Sequence, residues 1–182
     1  MGSEMCIRDR DLLAAATAAR LVGASADSIA RAVASFRGAE HVLEEVATVR
    51  GVAFYNDSKA TNLAAARKSL ESFARPVLVI LGGRHKGGDF AELADVVKAH
   101  VRRVLAIGEA QQTIERALGG VVPVQRCGSL DEAVNEGARQ AAPGDVVLLA
   151  PACSSFDMFK DYADRGRAFK AAVARLPRGG GD

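Results

Sequence analysis

The sequence predicts an α/β fold, a mostly parallel sheet flanked by helices and preceded by a short helical stretch. Three observations carry that prediction. Strand-like and helix-like patterns alternate four times with short connections, the pattern of a parallel sheet wrapped by helices. One segment, RPVLVILGG (75–83), is a nearly continuous apolar run, as expected for a strand covered on both faces. The most polar segments, finally, follow strand patterns, and in such sheets ligands sit beyond the carboxyl ends of strands.

The elements follow in order. DLLAAATAARLVG sets Leu12, Leu13, Ala16 and Leu21 near helical spacing and stops at Gly23. SADSIARAVASF starts at a capping Ser25 and aligns Ile29, Val33 and Phe36. This pair has little to bury against within itself, so residues 11–37 read as the helical remnant of another domain. LEEVATVRGVAFYND then predicts two strands joined at Arg50-Gly51, with Val46, Val49, Val52 and Phe54 inside. NLAAARKSLESF predicts a helix with Leu63, Ala66, Leu70 and Phe73 on one side. After the strand at 75–83 come a helix capped by Asp89, the strand RVLAIG, the helix EAQQTIERAL and the strand VVPVQRCG. A helix capped by Ser129, the strand GDVVLLAP and a final helix RGRAFKAAVARL complete residues 38–176, leaving 177–182 as a flexible tail. The first ten residues, MGSEMCIRDR, fit no targeting class and are expected to be a non-native leader.

Composition narrows the function classes. The 24 basic and 22 acidic residues leave a formal charge of +2, too slight to imply nucleic acid or an anionic membrane. The longest apolar run is too short to span a bilayer. Cys6, Cys127 and Cys153 lack metal or redox spacing, so a reducing cytoplasm is the plain reading. The histidines His41, His85 and His100 also lack ligand spacing, and no protein-built metal site is expected.

Three loops remain, NDSKATN (56–62), GGRHKGGD (82–89) and PACSSFDMF (151–159), and all should lie along one rim. In the first, Asp57 and Lys59 are costly to bury unpaired, and Thr61 or Asn62 can cap the next helix, whose N–H groups favour an anion. A cap with a local salt bridge would explain the same residues. In the second, glycines allow close backbone approach while Arg84, His85 and Lys86 supply positive charge. The loop fails the G-x-x-x-x-G-K-[ST] phosphate-loop test, since Lys86 precedes the glycines and no hydroxyl follows. It suits a carboxylate better than a triphosphate, or else is a plain surface turn. In the third, Cys153 reads as a buried thiol rather than a nucleophile. Ser154 and Ser155 read as anion donors at the start of a helical segment.

Together, NDSKATN, GGRHKGGDF and PACSSFDMFKDYADRG resemble the C-terminal domain of the Mur ligase family, a Rossmann-like fold, with the motifs in family order over about 38–176. Within the family, the wording is most similar to the branch that adds D-glutamate to UDP-N-acetylmuramoyl-L-alanine. The resemblance implies a cytoplasmic, ATP-dependent amide ligase of peptidoglycan precursor synthesis. ATP would phosphorylate the muramoyl-alanine carboxylate, and the D-glutamate amine would displace phosphate from the acyl phosphate. It further implies that Asp57 and Lys59 meet ATP, and that Lys59, Thr61, Lys86, Ser155, Phe156 and Tyr162 line the D-glutamate site. No residue here is expected to be catalytic. Magnesium falls to central-domain residues that this sequence does not contain, and a monomer is expected.

Two departures stand out. The family usually reads His-Arg at the domain junction, where this sequence has His41-Val42 and so lacks a charged contact to the nucleotide. There is also no phosphate loop, so the chain is expected to be a ligase fragment, inactive alone. Two other readings are a different amide ligase of the superfamily, such as a folylpolyglutamate synthase or the third-residue-adding enzyme, and a stand-alone binding module.

Overall fold

The computed structural model describes residues 7–36 and 38–177. They divide into two compact units, one ending at Gly38 and one beginning at Ala39. The first holds helices α1 (Ile7–Leu21) and α2 (Ala26–Ser35), with the Ser25 side chain capping α2 through the Ser28 amide. No side chain described in this unit is buried; Leu21, Val22 and Phe36 are all exposed. The expected leader lies outside the described residues up to residue 6, and α1 already runs from Ile7 through its remainder. The tail beyond Pro177 also lies outside them.

The second unit is built on six strands: β1 (Glu44–Val49), β2 (Val52–Asn56), β3 (Val77–Gly82), β4 (Val101–Ile107), β5 (Val124–Arg126) and β6 (Val146–Leu149). Their order is β1-β2-β6-β3-β4-β5; β1 runs antiparallel to β2 and all other pairs are parallel. Helices α3 (Leu63–Glu71), α4 (Ala94–His100) and α5 (Gln111–Leu118) pack on one face, and α6 (Leu130–Gln140) and α7 (Tyr162–Ala174) on the other.

Period-two alternation inside the sheet explains this layering. In β3, Val77, Val79 and Leu81 join Leu70, Val97 and Ile114 on one face, while Leu78 and Ile80 meet Val134 and Phe169 on the other. Every residue of β3 is buried, as the apolar run predicts. Fully burying a Leu, Ile or Phe contributes roughly 1.5–3 kcal/mol, so two-sided burial of β3 anchors the fold.

Several boundaries differ from the sequence reading. The expected helix after Asp89 is a 3₁₀ turn, Phe90–Leu93, followed by the shorter α4, and Val101 begins β4 instead of ending the helix. The strand expected over 121–128 shrinks to three residues at the sheet edge. A register shift between Glu45 and Ala47 leaves Val46 half-buried, not inside. The last helix begins at Tyr162, capped by the Asp161 side chain on the Asp164 amide.

Candidate functional site

The three polar loops leave β2, β3 and β6, which are adjacent in the sheet in the order β2-β6-β3 and mutually parallel. Their carboxyl ends therefore meet at one rim, where hydrogen bonds stitch the loops together. The Ala152 amide donates to the Ala60 carbonyl at 2.9 Å, joining the first loop to the third. Arg84 and Ser154 exchange backbone hydrogen bonds of 2.9 and 3.1 Å, joining the second to the third. Ala152 is held in the left-handed region, φ 58°, where an L-residue costs about 1–2 kcal/mol. Gly83 has no such alternative, because at φ +129° an added Cβ would lie 2.3 Å from the Ser154 carbonyl oxygen.

Arg165 is the brace that the sequence reading missed. Its side chain is 1% exposed. Nε donates to Ser58 Oγ at 3.0 Å, and the terminal nitrogens donate to the Ser58 carbonyl at 2.9 Å and the Cys153 carbonyl at 3.2 Å. One guanidinium so ties the first loop to the third. Burial lowers its pKa to about 10, which leaves it cationic at neutral pH. The signal in the sequence was an Arg beside a Gly at the start of a helical pattern that also carries Arg167, Lys170 and Arg175, which reads equally well as a solvated position.

Each expected ligand residue can now be placed. Lys59 and Lys86 are exposed on the rim, and among the described residues neither side chain has an ion pair or hydrogen bond within the chain. Thr61 is half-buried and Ser155 is 2% exposed, and neither hydroxyl bonds within the described chain. Phe156 and Tyr162 are 61% and 39% exposed, and the Tyr162 ring makes a T-shaped contact with His41 at a centroid distance of 6.2 Å. The rim therefore combines two uncommitted cations and free hydroxyls beside two exposed aromatic rings, a donor set suited to a small dicarboxylate.

Other groups in these loops are already engaged. Ser154, expected as an anion donor, gives its hydroxyl to the Arg84 carbonyl at 3.0 Å. Ser154 lies in the bridge with Arg84, and Ser155 opens the turn at 156–158, both before α7 and not at its start. Arg84 is paired with Glu109 at 3.1 Å. His85 stacks on Phe90 with ring centroids 4.8 Å apart and bonds the Gly88 carbonyl through Nε2 at 3.0 Å. Asn62, not Thr61, caps α3 through the Ala65 amide at 2.9 Å. Cys153 is fully buried, and desolvation pushes its thiol up to about 12, which removes it as a nucleophile.

Asp57, expected at the ribose, faces inward. It is 6% exposed, and its two oxygens accept from the Leu43 amide at 3.3 Å and from the Ser69 hydroxyl. Burial raises its pKa against the pull of those two bonds.

His41 holds the start of this unit against α7. Asn56 Nδ2 donates to His41 Nδ1 at 2.9 Å, while Asn56 Oδ1 accepts from the Ser58 amide at 3.1 Å. That pairing fixes the Asn56 amide and assigns Nδ1 as an acceptor. Glu40, His41 and Glu44 form a group of metal-capable side chains that sequence spacing did not suggest. Lys170 Nζ donates to Glu40 at 2.9 Å and to Glu44 at 2.8 Å, so an ammonium already bridges the two carboxylates. This donor set does not fit magnesium.

Residues 41–153 match the family described as Mur ligase, glutamate ligase domain. The chain belongs to the Mur ligase family. It is 52% identical over 163 residues to the UDP-N-acetylmuramoylalanine–D-glutamate ligase of Acidobacterium capsulatum, covering 90% of this chain and 35% of that protein. The ligases of the same name from Salinibacter ruber and Solibacter usitatus are 46% and 48% identical, each over 95% of this chain and 39% and 40% of their own lengths. The chain thus spans well under half of the relatives it matches. Among solved structures, the UDP-N-acetylmuramate-alanine ligase MurC of Thermotoga maritima aligns with a TM-score of 0.64 at 14% identity, over 90% of this chain and 36% of that one. The MurF ligase of the same organism, solved with ADP, aligns at 0.61 and 16% identity, over 87% of this chain and 36% of that one. These two likenesses show the shared Mur ligase C-terminal fold. Among the described residues, no helix is long and apolar enough to cross a membrane.

Proposed function

We propose that this chain is the amino-acid-holding part of an ATP-dependent ligase that joins D-glutamate to UDP-N-acetylmuramoyl-L-alanine. One observation supports it above the rest: the loops after β2, β3 and β6 meet on one rim, and the polar side chains they leave without an ion pair or hydrogen bond among the described residues are Lys59, Thr61, Lys86 and Ser155. A carboxylate is inert toward amines until its oxygen becomes a leaving group, so a ligase must present the amine to an activated acid. The role of this rim is to fix the incoming amino acid by its two carboxylates and leave its amine free. Lys86 and Ser155 would hold the side-chain carboxylate, Lys59 and Thr61 the reaction side, and Phe156 and Tyr162 would wall the site against water. Such positioning can supply a large part of a bimolecular barrier.

ATP supplies the phosphoryl group in this chemistry, but the described residues do not fit the whole nucleotide. No phosphate-loop motif is in the sequence, and the one cluster of metal-capable side chains among the described residues is bridged by Lys170. Asp57 braces the first loop, and a ribose contact would require it to share or release one of its internal bonds. Phosphoryl transfer and magnesium binding are therefore assigned to protein outside this chain, and we expect the chain alone to be inactive. We expect the working ligase to be a cytoplasmic monomer.

The test is a binding comparison of D-glutamate, L-glutamate and meso-diaminopimelate by calorimetry on this chain. D-glutamate should bind best, and Lys86→Met should weaken it by one to two orders of magnitude, the equivalent of about 1.5–3 kcal/mol for a charge-assisted bond. Preference for L-glutamate or the diamino acid would favour another ligase of the superfamily. An unchanged affinity in the variant would remove Lys86 from the site.

A further inference from the structure

The rim opposite the loops carries a polar cavity of about 300 Å³, lined by Leu78, Arg102, Arg103, Arg139 and Gln140. Its size is at the lower end for small-ligand sites. Successive residues of a regular strand point to opposite faces, yet Arg102 and Arg103 both line this one cavity. The reason is a slip in the β3–β4 pairing, where Val77 faces Val101 but Leu78 faces Arg103. Arg102 is the extra residue, and such irregularities re-aim side chains. The C-terminal end of α6 brings Arg139 and Gln140 to the same place.

The three guanidinium groups are not equally committed. Arg102 is paired with Asp145 at 2.6 Å through one terminal nitrogen, and Arg139 with Glu136 through Nε at 3.2 Å and a terminal nitrogen at 2.6 Å. A guanidinium offers five N–H donors, so both keep donors to spare. Arg103 is half-buried, and among the described residues it has neither an ion pair nor a side-chain hydrogen bond. Arg103, without an internal partner among the described residues and facing a cavity with two other guanidinium groups, leaves its donors open to an anion that could be held by all three.

We propose that this cavity binds a compact polyvalent oxyanion, phosphate or a polycarboxylate, on Arg103 with help from Arg102 and Arg139. The site is separate from the loop rim, because it lies at the amino ends of β3 and β4.

The experiment is a ¹H–¹⁵N shift titration of this chain with inorganic phosphate and, separately, with citrate, each at constant ionic strength. Saturable shifts at 77–78, 102–103 and 139–140 are expected, and the stronger of the two ligands identifies a phosphate or a carboxylate preference. Arg103→Gln should weaken binding about tenfold or more, and Arg139→Gln, on the helix surface, should weaken it also. Lys68→Gln, an equal charge change on α3, should not. Shifts that grow linearly, appear equally with chloride, or survive both arginine substitutions would overturn the proposal.

Discussion

At the scale of residues, the rim sorts its polar groups by whether the chain itself already uses them. Ser58, Ser154, Arg84, Arg165 and Asp57 are bonded internally, while Lys59, Lys86, Thr61 and Ser155 are not. Asp57 gives this sorting a consequence in pH. Burial raises its carboxyl above the unfolded value, so between the two values the folded state holds more protons than the unfolded chain. Stability from this group then falls as pH rises through that window. Asp57→Asn abolishes the loss, so urea denaturation at about pH 4 and about pH 7 should find the variant gaining on the wild type at the higher pH. A difference that stays constant would show that Asp57 does not carry the linkage. Much of this was legible in the sequence, because Lys59, Lys86 and Ser155 are types that must be solvated or bound. The roles of Asp57 and Ser154 were not, since spacing does not reveal which lone pairs the chain itself will fill. Arg165 was hidden for the same reason.

At the scale of elements, periodicity identified the alternation of strands and helices, and the caps Ser25, Asp89 and Ser129 were readable as short polar residues before apolar runs. What it did not give was order in the sheet. That β6 inserts between β2 and β3 depends on long-range pairing, and this insertion is what brings the third loop between the other two. The short edge strand β5 and the slip at Val77 were also invisible, because both are settled by neighbours. The contact of α7 with residues 39–44 makes a sharp test. An added Cβ at Gly166 would lie 2.2 Å from His41 Nδ1, so Gly166→Ala must displace the imidazole from its bond with Asn56. Overpacking of this kind costs about 1–3 kcal/mol, readable as a lower urea midpoint with an unchanged slope. An unaltered midpoint would mean that His41 moves freely.

At the scale of the whole molecule, the two units differ in what they bury. The unit beginning at Ala39 encloses apolar clusters on both faces of its sheet, whereas no described side chain in 12–36 is buried. We therefore propose that the second unit folds on its own. Limited trypsin digestion should remove residues up to about Gly38 quickly and leave a stable product from about Ala39 onward, because local opening free energy follows buried contact. Even loss of both segments would deny autonomy to the second. The central claim is narrower, that the carboxyl-end rim of this sheet holds D-glutamate. Its most direct measurement is a ¹H–¹⁵N spectrum of the chain titrated with D-glutamate. The account predicts saturable shifts confined to 57–62, 83–88 and 153–162, with L-glutamate producing weaker ones at the same positions. Shifts clustered elsewhere, or none up to saturating ligand, would contradict it.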